Sequence, residues 1–348
     1  MPNKFLRRRV LAISVIGAII IGGPVAYLNR SYIRTAIEQL MGNDFPGPGH
    51  GETTIVIAEG SGGDVIAQQL VDAGVVKSFQ TTYKMILTQN PTFYPGTFKL
   101  KLEMSSQQAI DALSNPDSAV LTTIVIREGL RSTSIFDLLA ETTGIDRSEF
   151  VALYRDPAAF SLPAGFPTLE GFMFPATYRF APDASAKTIL QTMVDRMRTE
   201  LVEFGVKDSE ALEVLTLASV IQKEARLEPD FYKVSRVFVN RIREGMHLQS
   251  DATVSYGVNG TTVSTTDAER ANDNPYNTYL YPGLPVGPIS APGSVAIDAA
   301  LNPGAGKWLY FCTINLETGE TVFSETWSQH ERAVAQWQAW MKDHPEYE

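Results

Sequence analysis

The chain has 348 residues, of which 44% are hydrophobic and 20% charged, values typical of a globular protein and not of a disordered or polytopic membrane protein. Acidic residues outnumber Lys and Arg by 39 to 29, and the resulting net charge of -10 disfavours binding to nucleic acid through its phosphates. Cys312 is the lone cysteine, which excludes an intramolecular disulfide and any site with several cysteine ligands.

The N-terminal segment predicts a single membrane anchor. Residues 1–9 carry four positive charges, and residues 10–28 follow with no charge at all. These 19 residues would span roughly 28 Å as a helix, close to the thickness of the hydrocarbon core of a bilayer. Because positive charge favours the cytoplasmic side, we expect a cytoplasmic N-terminus and a body outside the cytoplasm. A cleaved signal peptide is the alternative, although the apolar stretch is long for one.

The next part of the chain predicts a linker and two small α+β units. Residues 29–52 end in a stretch rich in glycine and proline, which is typical of a linker. The strand-like TIVIAEG (54–60) precedes a helical pattern, and the similar TTIVIREG (122–129) precedes another, which indicates a degenerate duplication. Between them, residues 91–114 predict a hairpin followed by a helix.

A larger C-terminal region begins after the proline-rich residues 157–167. Apolar periodicity predicts helices over 186–204, 209–226 and 230–243. Residues 274–303 are rich in proline and glycine, which favours ordered loops lining a groove. A strand pair over 307–315 and 321–326 and a terminal helix from about His330 complete the region.

The predicted helix over 209–226 carries a glutamate among its apolar residues. At about 100° per residue, Glu224 falls on the apolar face, whereas Gln222 points nearly opposite. A buried carboxyl has a raised pKa and can act as a general acid near neutral pH. Alternatively, Glu224 turns to solvent or pairs with Arg226 or Arg241, and Glu213 shares its direction on the helix.

Other polar residues leave two interpretations open. Gln249 and Asp251 follow the third helix and either face a cleft or belong to a helix cap formed by Ser250 or Asp251. Glu170 lies among aromatic residues, Tyr178 included, that form either a sugar-stacking surface or core. The histidines lack metal-ligand spacing and no G-x-S-x-G motif occurs, which disfavours metal and serine hydrolases.

Four motifs in fixed order resemble those of the endolytic murein transglycosylases, the MltG (YceG-like) family. They are LEGFMFPATYRF (169–180), LASVIQKEA (217–225), VFVNRIREGMHLQSDATVSYG (237–257) and NTYLYPGLPVGPISAPG (277–293). The resemblance implies an α+β protein whose segments are a cytoplasmic tail (1–9), a transmembrane helix (10–28), a linker (29–52), a small α+β domain (53–118), a LysM-like domain (119–165) and a catalytic domain with a glycan-binding cleft (166–348).

The resemblance also implies an activity. The family cleaves peptidoglycan strands internally, between N-acetylmuramic acid and N-acetylglucosamine, and leaves a 1,6-anhydromuramic end. One carboxyl group, acting first as acid and then as base, can suffice, and no metal or cofactor is needed. The resemblance gives this role to Glu224 and matches cleft residues to Glu170, Tyr178, Asn240, Gln249, Asp251, Tyr256, Asn277, Thr278 and Tyr279.

The resemblance further implies a location and partners. An anchor in a bacterial inner membrane would hold the catalytic body in the periplasm, close to nascent glycan strands. The enzyme would then terminate strand elongation, with membrane-bound peptidoglycan synthases as partners and no role for nucleic acid.

One departure from the family pattern leaves an alternative open. Relatives commonly have Glu-Lys-Glu where this chain has Gln222-Lys223-Glu224. The helical face favours the second acid, whereas a requirement for the first would make the protein a non-catalytic peptidoglycan-binding scaffold. A water-using muramidase would need a second carboxylate, for which Asp251 is the candidate.

Overall fold

The computed structural model of the protein describes residues 42–347, except 59, 262 and 263. The predicted tail (1–9), transmembrane helix (10–28) and most of the linker (29–52) lie outside the described residues. Among the helices that are described, none combines the length and the apolar character needed to cross a bilayer. The described residues divide into two compact units, 42–121 with 181–183 and 122–180 with 184–347.

The first unit packs three helices against a two-stranded antiparallel sheet. Its elements are β1 (His50–Ile57), α1 (Gly63–Asp72), α2 (Phe79–Gln89), β2 (Gly96–Leu102) and α3 (Ser106–Leu113). Ile55 lies opposite Phe98 in the sheet, and both side chains are buried in the core of this unit. Helix α3 begins with a capping box in which the Ser105 hydroxyl accepts the backbone N–H of Gln108.

The prediction of a hairpin within residues 91–114 was wrong. Strand β2 pairs with β1, and residues 91–95 form no strand. Pro91 and Pro95 lack the backbone N–H that a ladder requires, which accounts for the missing strand. The predicted order of strand then helix, by contrast, was confirmed at β1–α1.

The second unit contains four strands in two antiparallel pairs, among the residues described. Its elements are β3 (Thr122–Val125), α4 (Ser132–Thr143), α5 (Arg147–Tyr154), β4 (Thr177–Phe180), α6 (Ala186–Glu203), α7 (Asp208–Glu224), α8 (Glu228–Arg243), α9 (Asp251–Gly257), α10 (Asp267–Arg270), α11 (Ser294–Leu301), β5 (Tyr310–Asn315), β6 (Glu320–Ser324) and α12 (Trp327–Asp343). Strand β3 pairs with β4, and β5 pairs with β6. The mixture of helix and sheet agrees with the predicted α+β class.

Helix α7 runs through the core of this unit. Its Leu215, Val220 and Ile221 are fully buried, in a cluster that extends from Ile124 on β3 to Ala299 on α11. The three helices predicted over 186–243 were confirmed within two residues at each end. Side chains from 119–165 and from 166–348 share this one core, while the proposed boundary between two domains there stays a prediction.

Two elements differ from the sequence analysis. Residues 274–303 are not all loop, because 294–301 form helix α11, whose Ala296, Ile297 and Ala299 are buried. Alanine is the best helix former, and the stretch SVAIDAAL offers an apolar face to α7 and α8. Helix α12 begins at Trp327 and not near His330, because Thr326 supplies an N-cap that accepts the N–H of Gln329.

Candidate functional site

Glu224 is the last residue of α7, and its side chain is partly buried. The Ser250 hydroxyl donates a hydrogen bond to its Oε1 over 2.5 Å. Burial raises the pKa of Glu224 above its usual value, the Ser250 hydrogen bond opposes that rise, and the negative charge of Asp251 adds to it. A carboxyl with a raised pKa keeps its proton to a higher pH than an exposed carboxyl does, which suits a group that must first donate a proton and then accept one.

The segment before α9 brings Ser250 to Glu224. Gln249 has φ of 52°, in the left-handed region, and its side chain is exposed. Its backbone N–H donates to the carbonyl oxygen of Thr278 over 3.1 Å, and the N–H of Ser250 donates to Oγ1 of the same threonine over 3.1 Å. Thr278 is itself buried, and its two hydrogen bonds hold the backbone of Gln249 and Ser250 in place.

Asp251 and Tyr279 meet beside this segment. Oδ1 of Asp251 accepts hydrogen bonds from the hydroxyls of Thr265 (2.6 Å) and Tyr279 (2.8 Å) and, over 3.4 Å, from Nε of Arg270. Burial, followed by the hydrogen bond to Asp251, raises the pKa of the Tyr279 hydroxyl. Asp251 therefore places a negative charge near Glu224 while one of its oxygens is committed to three donors.

Asn240 and Asn277 hold loops in place. Both are fully buried, and Nδ2 of Asn240 donates to the carbonyl oxygens of Gly306 and Trp308. Nδ2 of Asn277 donates to the carbonyl oxygens of Arg270 and Asn272, and its Oδ1 accepts the N–H of Tyr279 over 3.0 Å. Buried backbone groups outside regular structure need such partners, so these side chains support the loops around the site.

Glu170, which is buried, and Tyr256, which is partly buried, form a separate cluster. Both oxygens of Glu170 accept the backbone N–H of Ser132 at the start of α4, over 3.1 and 3.2 Å, and the Tyr256 hydroxyl donates to Oε2 over 3.2 Å. Glu170 is only 3% exposed, and burial raises its pKa to about 7. The first turn of a helix leaves backbone N–H groups without a partner in the helix, and Glu170 accepts one of them, so it has a structural explanation.

Tyr178 belongs to the core. It is 7% exposed, its hydroxyl donates to the carbonyl oxygen of Phe174 over 2.6 Å, and its ring stacks on Phe180. Phe172 and Phe174 are also buried. Of the two interpretations left open for these aromatic residues, the structure supports the core and not a sugar-stacking surface.

The YceG-like family model matches residues 55–336 of this chain, a range that includes every residue named above in the candidate site. The chain belongs to the YceG-like family. The chain is 30% identical over 300 residues to an endolytic murein transglycosylase of Bacillus subtilis (strain 168), covering 80% of this chain and 83% of that protein. It is 28% identical over 323 residues to an endolytic murein transglycosylase of Streptococcus pneumoniae serotype 2, covering 81% of this chain but 58% of that longer relative.

A solved structure supports the same assignment. The crystal structure of a YceG-like protein from Listeria monocytogenes has a TM-score of 0.55 and 29% sequence identity to this chain. The similarity covers 81% of this chain and 99% of the Listeria chain.

In this YceG-like chain, Gln222 has a structural role. Its Oε1 accepts the backbone N–H of Gly293 over 3.0 Å, and Oγ of Ser219, one turn earlier, accepts the N–H of Ile289 over 3.0 Å. The two side chains fasten the loop before α11 to helix α7. A glutamate at position 222 would present the same kind of acceptor, so the difference from the common Glu-Lys-Glu pattern preserves this contact.

Two variants test this role of Gln222. Gln222→Glu keeps the acceptor, and we expect its glycan-cleaving activity to stay within about twofold of the wild type. Gln222→Ala leaves the buried N–H of Gly293 without a partner, and we expect the free energy of unfolding to fall by about 1–3 kcal/mol in urea denaturation. A large gain of activity in Gln222→Glu would instead show that the departure from the family pattern impairs the site.

Two residues beside Glu224 in this YceG-like site were not predicted from the sequence. Ser250 was considered only as a helix cap, and no periodicity could reveal that its hydroxyl reaches a residue on another helix. Arg241 was named only as a possible ion-pair partner. It is 8% exposed, and it donates to the carbonyl oxygens of Leu248 and Leu309, where its positive charge also acts on Glu224.

Proposed function

We propose that this protein is an endolytic lytic transglycosylase of peptidoglycan in which Glu224 is the general acid and base. The observation that carries the proposal is the partly buried carboxyl of Glu224, with its raised pKa and its hydrogen bond from Ser250, within the family-matched part of the chain. The names of the Bacillus and Streptococcus relatives support the reaction class.

The chemistry needs one carboxyl group and no water. The neutral carboxyl of Glu224 donates its proton to the glycosidic oxygen between N-acetylmuramic acid and N-acetylglucosamine, and the bond from that oxygen to the anomeric carbon breaks. The carboxylate then accepts the proton of the muramic C6 hydroxyl as the C6 oxygen bonds to the anomeric carbon. Glu224 ends as it began, and the product is a 1,6-anhydromuramic end.

The proposal includes a location and a biological role. The uncharged residues 10–28 would anchor the chain in a bacterial inner membrane, with a cytoplasmic N-terminus, a LysM-like segment over 119–165 and a periplasmic catalytic region. An enzyme tethered in this way reaches glycan strands as they emerge. It would therefore terminate strand elongation next to the synthases that polymerise glycan.

Mass spectrometry of the products tests the reaction. The purified full chain is incubated with intact peptidoglycan, and the released fragments are analysed. Fragments with internal cleavage and 1,6-anhydromuramic ends are expected. Reducing ends would indicate hydrolysis and would make Asp251 the candidate second carboxylate. Binding of glycan without release of fragments would favour the non-catalytic scaffold.

A further inference from the structure

We propose that Ser250 is a positioning residue for Glu224. The hydroxyl of Ser250 occupies Oε1 of Glu224, so that protons pass to and from the glycan through Oε2 of Glu224. The inference rests on the proposed function and names a residue that supports the acid–base group without touching the reacting atoms. Four features of the structure support it.

The first feature is a hydroxyl that does not cap its own helix. Ser250 is the N-cap residue of α9, where a serine side chain ordinarily accepts a backbone N–H from the first turn. Here the side chain makes no such bond, and the hydroxyl donates to Glu224 instead. The Ser250 hydroxyl therefore does not stabilise the N-terminus of α9 and instead contacts the carboxyl group of Glu224.

The second feature is the backbone that aims this hydroxyl. Gln249 adopts a left-handed conformation, with φ of 52°, that a non-glycine residue seldom adopts unless its surroundings impose it. Thr278 imposes it, since its carbonyl oxygen and its hydroxyl accept the N–H groups of Gln249 and Ser250. Strained residues held in this way are concentrated at functional sites.

The third feature is a set of hydrogen bonds by which the hydroxyls of Thr253 and Thr278 hold the main chain of Ser250, and in each of these bonds donor and acceptor can be assigned. The Thr253 hydroxyl donates to the carbonyl oxygen of Ser250 over 2.7 Å, so across its 2.8 Å contact with Thr278 it must act as the acceptor. The Thr278 hydroxyl therefore donates to Thr253 and accepts the N–H of Ser250. Both threonines are buried, and together they hold the main chain of Ser250 at its N–H and its carbonyl.

The fourth feature is the difference between the two oxygens of Glu224. Oε1 accepts the Ser250 hydroxyl, whereas Oε2 has no hydrogen-bond partner among the described residues. An ionised carboxylate can only accept this hydrogen bond, and when the group is neutral the same bond leaves the proton on Oε2. The Ser250 bond also opposes the rise that burial causes in the pKa of Glu224, which helps one group serve as both acid and base.

Three serine variants of the full chain test the proposal. Ser250→Ala removes the hydroxyl, and Ser250→Thr keeps one. Ser235→Ala is the matched control, because Ser235 on α8 is buried and its hydroxyl has no partner among the described residues. Cleavage of purified glycan strands is followed as a function of pH, and kcat and KM are determined for each variant.

We expect Ser250→Ala to lower kcat by about 10- to 100-fold with KM little changed, because the carboxyl loses its orientation. Free enzyme needs a protonated Glu224, so kcat/KM falls as pH rises through its pKa. Loss of the hydroxyl raises that pKa, and the alkaline limb of the profile should move to higher pH. Ser250→Thr should restore both kcat and the position of the alkaline limb. Ser235→Ala should match the wild type in both.

An unchanged kcat and pH profile in Ser250→Ala would overturn the proposal, and so would a loss of activity without movement of the alkaline limb. Either result would leave the proposed function standing, provided that the wild type is active and Glu224→Gln is not. An inactive wild type would instead refute the function itself. If Ser250→Ala does not fold, Ser250→Gly replaces it, because glycine is tolerated at N-cap positions.

Discussion

Glu224→Gln is expected to lower the rate of glycan cleavage by about 10³-fold or more, with the thermal stability of the protein little changed. Glutamine is close to glutamate in size and can still accept the Ser250 hydrogen bond through its amide oxygen. It cannot donate a proton to the glycosidic oxygen or accept one from the C6 hydroxyl. Both halves of the proposed reaction are therefore lost, and general acid–base catalysis typically contributes about 10²- to 10⁴-fold per proton transfer.

Glu213→Gln provides the matched control for this experiment. Glu213 lies on the same helix and in a similar direction, but its side chain is exposed. Its variant should cleave glycan at the wild-type rate, which shows that the effect at position 224 is not due to loss of a negative charge on α7. Anhydromuropeptide release is quantified for both. Full activity in Glu224→Gln would rule out Glu224 as the acid and base.

The second large effect concerns stability and its dependence on pH at Glu170. Burial raises the pKa of this carboxyl to about 7 in the folded protein, against an ordinary value of 4.5. Below pH 4.5 the group is neutral in both the folded and the unfolded state. As the pH rises to about 7, the unfolded chain ionises first, so folding becomes less favourable by about 3 kcal/mol.

Glu170→Gln should remove this dependence. A glutamine is neutral at every pH and can still accept the N–H of Ser132. We therefore expect the variant to gain about 3 kcal/mol relative to the wild type between pH 4.5 and pH 8, measured by urea unfolding at each pH. Glu203→Gln, at an exposed position on α6, should show no such trend. An equal pH dependence in the wild type and Glu170→Gln would show that Glu170 is ionised in the folded protein.

The fold was predictable where local signals dominate. The helices α6, α7 and α8 each have apolar periodicity over four or more turns, and the β5–β6 pair has a short turn between its strands. The partner of β2 was not predictable, because pairing with β1 depends on contacts between distant segments. Helix α11 was not predicted, because the prolines that precede it indicated loops, although its own residues favour a helix.

In the candidate site, the sequence pointed to Glu224 but revealed little about the residues around it. The apolar face of α7 pointed to Glu224, since a carboxyl on a buried face is a local property of the helix. Side chains such as Asn240 and Asn277 were matched to a cleft, yet they bind loop backbone, because a sequence motif does not distinguish support from contact. The hydroxyl partner of Glu224 comes from a segment 26 residues away, and only the tertiary structure brings it there.

The pairing of β3 with β4 has a consequence for how the chain folds during its synthesis. Residues 126–176 separate these strands, whereas only 316–319 separate β5 from β6. Closing the longer loop costs about 2 kcal/mol more in chain entropy, so the β5–β6 hairpin can form early and β3–β4 pairing forms late. During synthesis, strand β3 leaves the ribosome well before its partner. Until residues 177–180 emerge, its unpaired edge exposes the nascent chain to aggregation.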